Sequence, residues 1–247
     1  MHMSIYQSIV EKKKLGKKQF AVLIDPDKPT ESEVIKIAQR AMDANVDYFF
    51  VGGSLLTNNN LDLCIKGLKE NADIPVVLFP GNTLQMSAKA DGFLFLSLTS
   101  GRNAEMLIGR HVIAAPYLKL SGLEVISTSY MLIDSGKPTT VSYMSNSIPI
   151  PADKKDIAAC TALASEMLGH KLVFMDGGSG AVNPISPEMI QMVSQTIQVP
   201  LIIGGGIKTP ELAAQTAKAG ADLIVVGNKL EEDSSLINEL ASAIHSV

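Results

Sequence analysis

Short runs of consecutive apolar residues alternate along this chain with longer stretches whose apolar positions recur every three to four residues. The first kind predicts buried strand, the second amphipathic helix. Residues 20–25 (FAVLID) are the first run, and 30–44 follow as a helix with Val34, Ile37, Ala38 and Ala41 on one face. Thr30 and Glu33 form a capping box in front of it. Strands are expected at 48–53, 76–81 and 92–98, with a helix marked by Leu61, Cys64, Ile65 and Leu68 between the first two. Beyond them come a helix at 104–109 ending near His111, a strand-like run at 125–133, an extended segment at 139–145 and a Pro-broken loop at 148–151. A helix at 153–168 places Ile157, Cys160, Ala164 and Met167 on one face and is closed by Gly169. Strands at 172–176, 200–204 and 223–227 then alternate with helices at 186–197, 210–219 and 234–246, the first of these capped by Ser186 with Pro187 next.

Uniformly apolar strands are buried on both faces, as in parallel sheets. Eight of them, most followed by a helix, in about 250 residues match a single-domain α/β TIM-type (β/α)8 barrel over residues 1–247. A doubly wound open sheet is the alternative, but the turn after the first strand is Asp25-Pro26-Asp27-Lys28 rather than a Gly-rich fingerprint. The connection at 82–91 is about ten residues, at the lower limit for a crossover helix. The barrel is therefore expected to be modified after its third strand.

With 46% hydrophobic and 19% charged residues the chain is globular, and a net charge of −4 gives no electrostatic reason for nucleic acid or an anionic membrane surface. Cys64 and Cys160 are too few and too far apart for a disulfide framework or a zinc site and read as buried small hydrophobes. His2, His111, His170 and His245 form no metal-binding pair. The first 18 residues turn basic before an apolar core develops, and no stretch of 18 apolar residues occurs, so a soluble, cytoplasmic protein without a transmembrane segment is expected.

In this fold chemistry sits where strands end. Those positions hold Asp25, Gly52-Gly53-Ser54, Asp176-Gly177-Gly178-Ser179-Gly180, Gly204-Gly205-Gly206 and Gly227-Asn228. Glycine loops after the seventh and eighth strands expose amides suited to a phosphate. Asp25 and Ser54, on adjacent strands, suit Mg²⁺, although each could equally cap a local turn. Asp176 could be a general base or could brace the loop after it. The GGSGA segment misses the nucleophile elbow at Ala181 and has no accompanying triad.

The conjunction of LIDPDK, FFVGGS, FMDGGSGA, IIGGGI and VVGN, in this order from Asp25 to Asn228, resembles geranylgeranylglyceryl phosphate synthase and its bacterial heptaprenyl relatives. The resemblance implies a prenyltransferase joining sn-glycerol 1-phosphate to geranylgeranyl diphosphate or a related polyprenyl diphosphate, with ether-bond formation and pyrophosphate release in archaeal-type lipid synthesis. It implies Mg²⁺ on Asp25 and Ser54. Glycerol phosphate would lie along Phe174, Met175, Asp176, Gly177, Gly178, Ser179 and Gly180, with its phosphate on Gly205, Gly206, Gly227 and Asn228. Asp176 would be the catalytic acid–base residue, an apolar groove would replace the helix after the third strand, and the protein would be a homo-oligomer, dimer or hexamer. Three positions depart from the pattern. Many members have Glu at the place of Asp176 and Tyr at that of Phe174, and some carry Lys where this chain has Leu23. A different phosphate-binding barrel enzyme, an isomerase or lyase of a phosphorylated sugar or indole precursor, would explain the glycine loops equally well. A non-catalytic scaffold would not need Asp25, Ser54 and Asp176 at one mouth.

Overall fold

The computed structural model describes residues 3–247, so His2 lies outside the described residues. Eight parallel strands, β1 (Gln19–Ile24), β2 (Tyr48–Val51), β3 (Val76–Leu78), β4 (Gly92–Leu98), β5 (Glu124–Leu132), β6 (Leu172–Asp176), β7 (Leu201–Gly204) and β8 (Leu223–Val226), close into a barrel in sequence order. β8 pairs with β1 through Phe20↔Ile224 and Ala21↔Val225. The expected (β/α)8 architecture is thus present.

Two apolar layers follow from the alternation of side chains along each strand. Phe20, Val22, Val51, Val173 and Ile203 point outward to the helices. Ala21, Phe50, Leu94, Tyr130, Phe174 and Val225 fill the barrel. The outer ring comprises α2 (Glu31–Asp43), α3 (Leu61–Asn71), α4 (Arg110–Ser121), α6 (Lys155–Met167), α7 (Pro187–Thr196), α8 (Pro210–Lys218) and α10 (Ile237–His245), with the short α5 (Thr140–Ser145) and α9 (Asn228–Glu232) at the C-terminal ends of the strands. No helix stands between β3 and β4. Residues 79–91 cross as turns, pinned by the buried Gln85, whose amide donates to the Gly53 carbonyl at 2.7 Å and accepts from the amides of Gly53 and Gly81.

The first helix, α1 (Ile5–Lys14), closes the bottom of the barrel with Ile5 and Ile9. Its leading amides, Ile5 and Tyr6, donate to the Glu124 carboxylate at 2.6 and 2.9 Å, a charged cap at the positive helix end. Two buried positions, Ile5 and Ile9, are too few to show a period, so this helix leaves no mark in the sequence pattern. Asp47 joins three elements there. It accepts from Lys12 of α1, the Phe20 amide of β1 and His245 of α10. Burial raises its carboxyl, and the bonds from His245, Lys12 and Phe20 outweigh that, holding it below the ordinary carboxylate range.

Four expectations are corrected. Residues 140–145 are helical, not extended: Thr139 and Ser142 cap each other and Asn146 stops the turn at φ 49°, so capping outweighs the β-branched TTV run. The helix expected at 104–109 opens as a π-turn (Glu105–Gly109) and runs on to Ser121. The apolar positions of its extension, Val112, Ile113, Tyr117 and Leu120, are exposed, so no buried stripe marked it. In α6 the buried face is Ala158, Ala159, Ala162 and Ser165, while Ile157, Cys160 and Met167 face out. Small residues let this helix approach the sheet closely, and the larger ones are turned away. Cys160 is therefore exposed, and only Cys64 is the buried thiol expected, pushed up to about 12 by burial and then by the Asp25 carboxylate.

Candidate active site

A cavity of about 770 Å³ opens at the C-terminal ends of the strands and extends sideways between β3, β4 and α4. Asp25, Ser54, Phe174, Asp176, Gly178, Ser179, Gly180, Gly205, Gly206, Gly227 and Asn228 all line it. Met175 does not. It packs in the outer layer and does not reach the cavity, and Gly177 does not line it either. Gly177 donates its amide to the Gly204 carbonyl at 3.0 Å and so ties the ends of β6 and β7 together.

Asp176 ends β6 and its side chain turns inward over the barrel core. One oxygen accepts from the Tyr130 hydroxyl at 2.6 Å and the other from the Gly178 amide at 2.8 Å. Burial raises its carboxyl above the ordinary range, and the hydrogen bonds from Tyr130 and Gly178 oppose that. Burial also raises the Tyr130 phenol well above its usual value, with the adjacent Asp176 charge adding to it. Tyr130 is thus a fixed donor, and Asp176 is a carboxylate tuned upward as a general base requires. Tyr130 was not singled out from the sequence, because a tyrosine inside an apolar strand looks like any core aromatic. Phe174 stacks on Phe79 at 5.1 Å and meets the Tyr130 ring edge-on at 5.7 Å. The hydroxyl absent at position 174 is matched by one from the neighbouring strand.

The glycine loops are tightly nested. At Gly205 φ is +83°, and an added Cβ would lie 2.6 Å from the Gly177 nitrogen and 2.7 Å from an Asp176 oxygen. Glycine is required there by both conformation and space. Ser179 and Asn228 hydrogen-bond across the mouth, with Asn228 Nδ2 donating to Ser179 Oγ at 3.0 Å. Leu23 lies beneath Gly227, its carbons 3.3 Å from where a Cβ would stand. With an apolar residue at that floor, the polar groups this end of the cavity offers are the backbone amides of the glycine loops, and Lys208 and Lys229 also line the cavity.

On the opposite wall Asp25 accepts from the Asp27 amide at 3.1 Å and lies 3.7 Å from Lys28 Nζ. Asp27 is a second residue without an assigned role in the sequence reading. Its Oδ2 accepts from Thr57 and Asn58 and so holds the β2–α3 loop, which carries Ser54, against the β1 loop. Its Oδ1 is buried without a partner among the described residues. No group of three or more His, Cys, Asp or Glu side chains able to hold a metal occurs among the described residues. The lateral arm of the cavity is apolar, walled by Phe93, Phe95, Leu96, Met106 and Ala114. His111, with Nε2 3.1 Å from Ser97 Oγ and its ring edge-on to Phe95, is a polar group on this wall, with Arg110 next to it. Burial lowers its pKa and favours the neutral imidazole that such a wall demands.

A family model described as the PcrB family matches residues 11–245. The chain belongs to the PcrB family. A relative from Chitinophaga pinensis, named geranylgeranylglyceryl phosphate synthase, is 56% identical over 246 residues, covering 100% of this chain and 98% of its own. One of the same name from Spirosoma linguale is 52% identical over 93% of this chain and 92% of its own. Among solved structures, (S)-3-O-geranylgeranylglyceryl phosphate synthase from Thermoplasma acidophilum, in complex with its substrate sn-glycerol-1-phosphate, superposes with a TM-score of 0.94 at 33% identity, over 100% of both chains. The PcrB-family match thus spans the described barrel from within α1 to the end of α10. No helix among its described residues is long and apolar enough to cross a membrane.

Proposed function

We propose that this PcrB-family chain transfers a polyprenyl group from its diphosphate, geranylgeranyl diphosphate in the first instance, to sn-glycerol 1-phosphate, forming an ether bond and releasing pyrophosphate. The observation that carries the reading is a single cavity with a cradle of glycine amides and a buried, upward-shifted Asp176 at one end and an apolar arm at the other. A phosphorylated polyol and a hydrocarbon tail each find a matching half. A barrel acting on a small phosphorylated sugar would have no use for the apolar arm.

The amides at Gly205–Gly206 and Gly227–Asn228 would hold the glycerol phosphate so that its hydroxyl meets Asp176. Asp176 takes that proton as the carbon–oxygen bond forms, and the Tyr130 hydroxyl keeps the carboxylate in place. A Mg²⁺ ion fits the opposite wall. The Asp25 carboxylate and the Ser54 hydroxyl both line the cavity there and offer oxygen acceptors to a cation that draws its other ligands from substrate phosphates and water. Asp25 and Ser54 would hold it, and when bound it neutralises charge on the departing pyrophosphate. The two free cysteines agree with a reducing, cytoplasmic setting. Self-association rests on α4 and α6. Val112, Ile113, Tyr117, Leu120, Met167 and Leu168 are exposed there, and at about 60–120 Å² per apolar side chain they approach the roughly 800 Å² each partner gives to a stable interface.

The test incubates the protein with geranylgeranyl diphosphate, Mg²⁺ and either sn-glycerol 1-phosphate or its 3-phosphate enantiomer, reading pyrophosphate and lipid product. Turnover with the 1-phosphate, abolished by EDTA and by Asp25→Asn, is expected. Absence of turnover across prenyl diphosphates of about 10 to 35 carbons would overturn the reading.

A further inference from the structure

The surface around the cavity mouth is not uniform. Leu84 on the β3–β4 crossing, Tyr143 on α5 and Ile148 beyond it are 89%, 84% and 87% exposed. Ile108, on the π-turn after β4, is exposed as well. All four follow β3, β4 or β5, the strands beside which the apolar arm of the cavity opens. Large apolar side chains this exposed lose free energy in water, and none of these four lines the cavity. Neither fold nor site explains them.

Cations stand among them. Arg102 and Lys137 are exposed on the β4 and β5 loops and form no ion pair among the described residues, with Lys137 Nζ reaching toward Gly180, and Arg110 lines the cavity. The chain as a whole is acidic, whereas this half of the rim sets Arg102, Arg110 and Lys137 against Glu105 and Asp134, a small cationic excess next to apolar tips. A hydrocarbon tip flanked by a cation matches the acyl boundary and phosphates of a lipid surface. Four side chains on three separate loops offer too little continuous area for a stable contact between copies, for which about 800 Å² per partner is usual. The glycine half of the mouth carries no comparable cluster of knobs, so a tilted approach leaves it open to water.

We propose that the β3–β5 half of the rim docks on a lipid bilayer containing anionic lipid, dipping Leu84, Ile108, Tyr143 and Ile148 into the interface with the apolar arm facing the membrane. The inference rests on the proposed function only for the benefit of such docking, a path for a hydrocarbon tail between bilayer and cavity. The surface chemistry stands apart from turnover, and the two are tested separately.

The full chain is mixed with vesicles of phosphatidylcholine alone or with an equal part of phosphatidylglycerol, and bound protein is measured by flotation. The mixed vesicles should bind it at least about tenfold better than the Leu84→Asp/Ile148→Asp variant. High salt should weaken binding in part, and Lys137→Glu should do the same. The chain contains no tryptophan, so Tyr143→Trp gives a lone indole, excited apart from the tyrosines, whose emission should shift to the blue on vesicle addition. Turnover of the double variant on geranyl diphosphate in solution is measured alongside and should match the parent, which also shows that it folds. No flotation of the parent with either vesicle, equal flotation of parent and variant, or a variant that changes the oligomer size in place of vesicle binding would each overturn the proposal. Loss of turnover with vesicle binding intact would count against the proposed reaction and leave the docking surface standing.

Discussion

Asp176 is held in a state that folding alone would not favour. Its native carboxyl is raised by burial, so between the unfolded and native pKa values the native state binds more protons. Stability then falls as pH rises through that window and stays lower above it. Asp176→Asn removes this penalty. The variant should lose about 10²- to 10⁴-fold in kcat yet melt at a higher temperature than the parent at pH 7, as read by calorimetry. Tyr130→Phe deletes a bond that pulls the Asp176 pKa down, so the acid limb of its kcat profile should move to higher pH. A purely structural role for Tyr130 would lower stability and leave that limb in place.

At the scale of elements, the missing helix after β3 makes Gln85 a keystone. One buried amide serves Gly53 twice and Gly81 once, and close backbone approaches at Gly52 and Gly81 leave no room for another brace. Gln85→Ala should lower stability by about 1–3 kcal/mol, since each orphaned buried group is expensive. It should also raise KM for the prenyl diphosphate more than for glycerol phosphate, which steady-state kinetics would resolve. The strands and most ring helices were legible in the sequence because uniform burial and the 3.6-residue period leave a mark on composition. That Asp25, Ser54, Asp176 and most of the glycines would line one cavity was legible because strand ends converge at one mouth in this fold. Tyr130, Gln85 and Asp27 were not. Each acts through a partner distant in sequence, and a single chain carries no trace of that pairing. The α6 face was read inverted for a related reason: period reports that a face is apolar, not whether the barrel or something outside it covers that face.

For the whole molecule that uncovered face has a measurable consequence. If α4 and α6 meet a second copy, Tyr117→Glu with Leu120→Glu should reduce the mass seen by light scattering to that of a 26.3 kDa chain, with turnover on a short soluble substrate retained. Unchanged mass would remove this face from the assembly. The molecule would then be polarised, with contacts between copies on one flank, a lipid-facing rim above, and a sealed base. That base carries a further implication. Through one carboxylate, Asp47 joins the last turn of the first helix, the first strand and the last helix, while Glu124 of β5 holds the first turn of that helix. The first helix is thus a strap pinned at both of its ends, and it floors the barrel without pairing into the ring of strands.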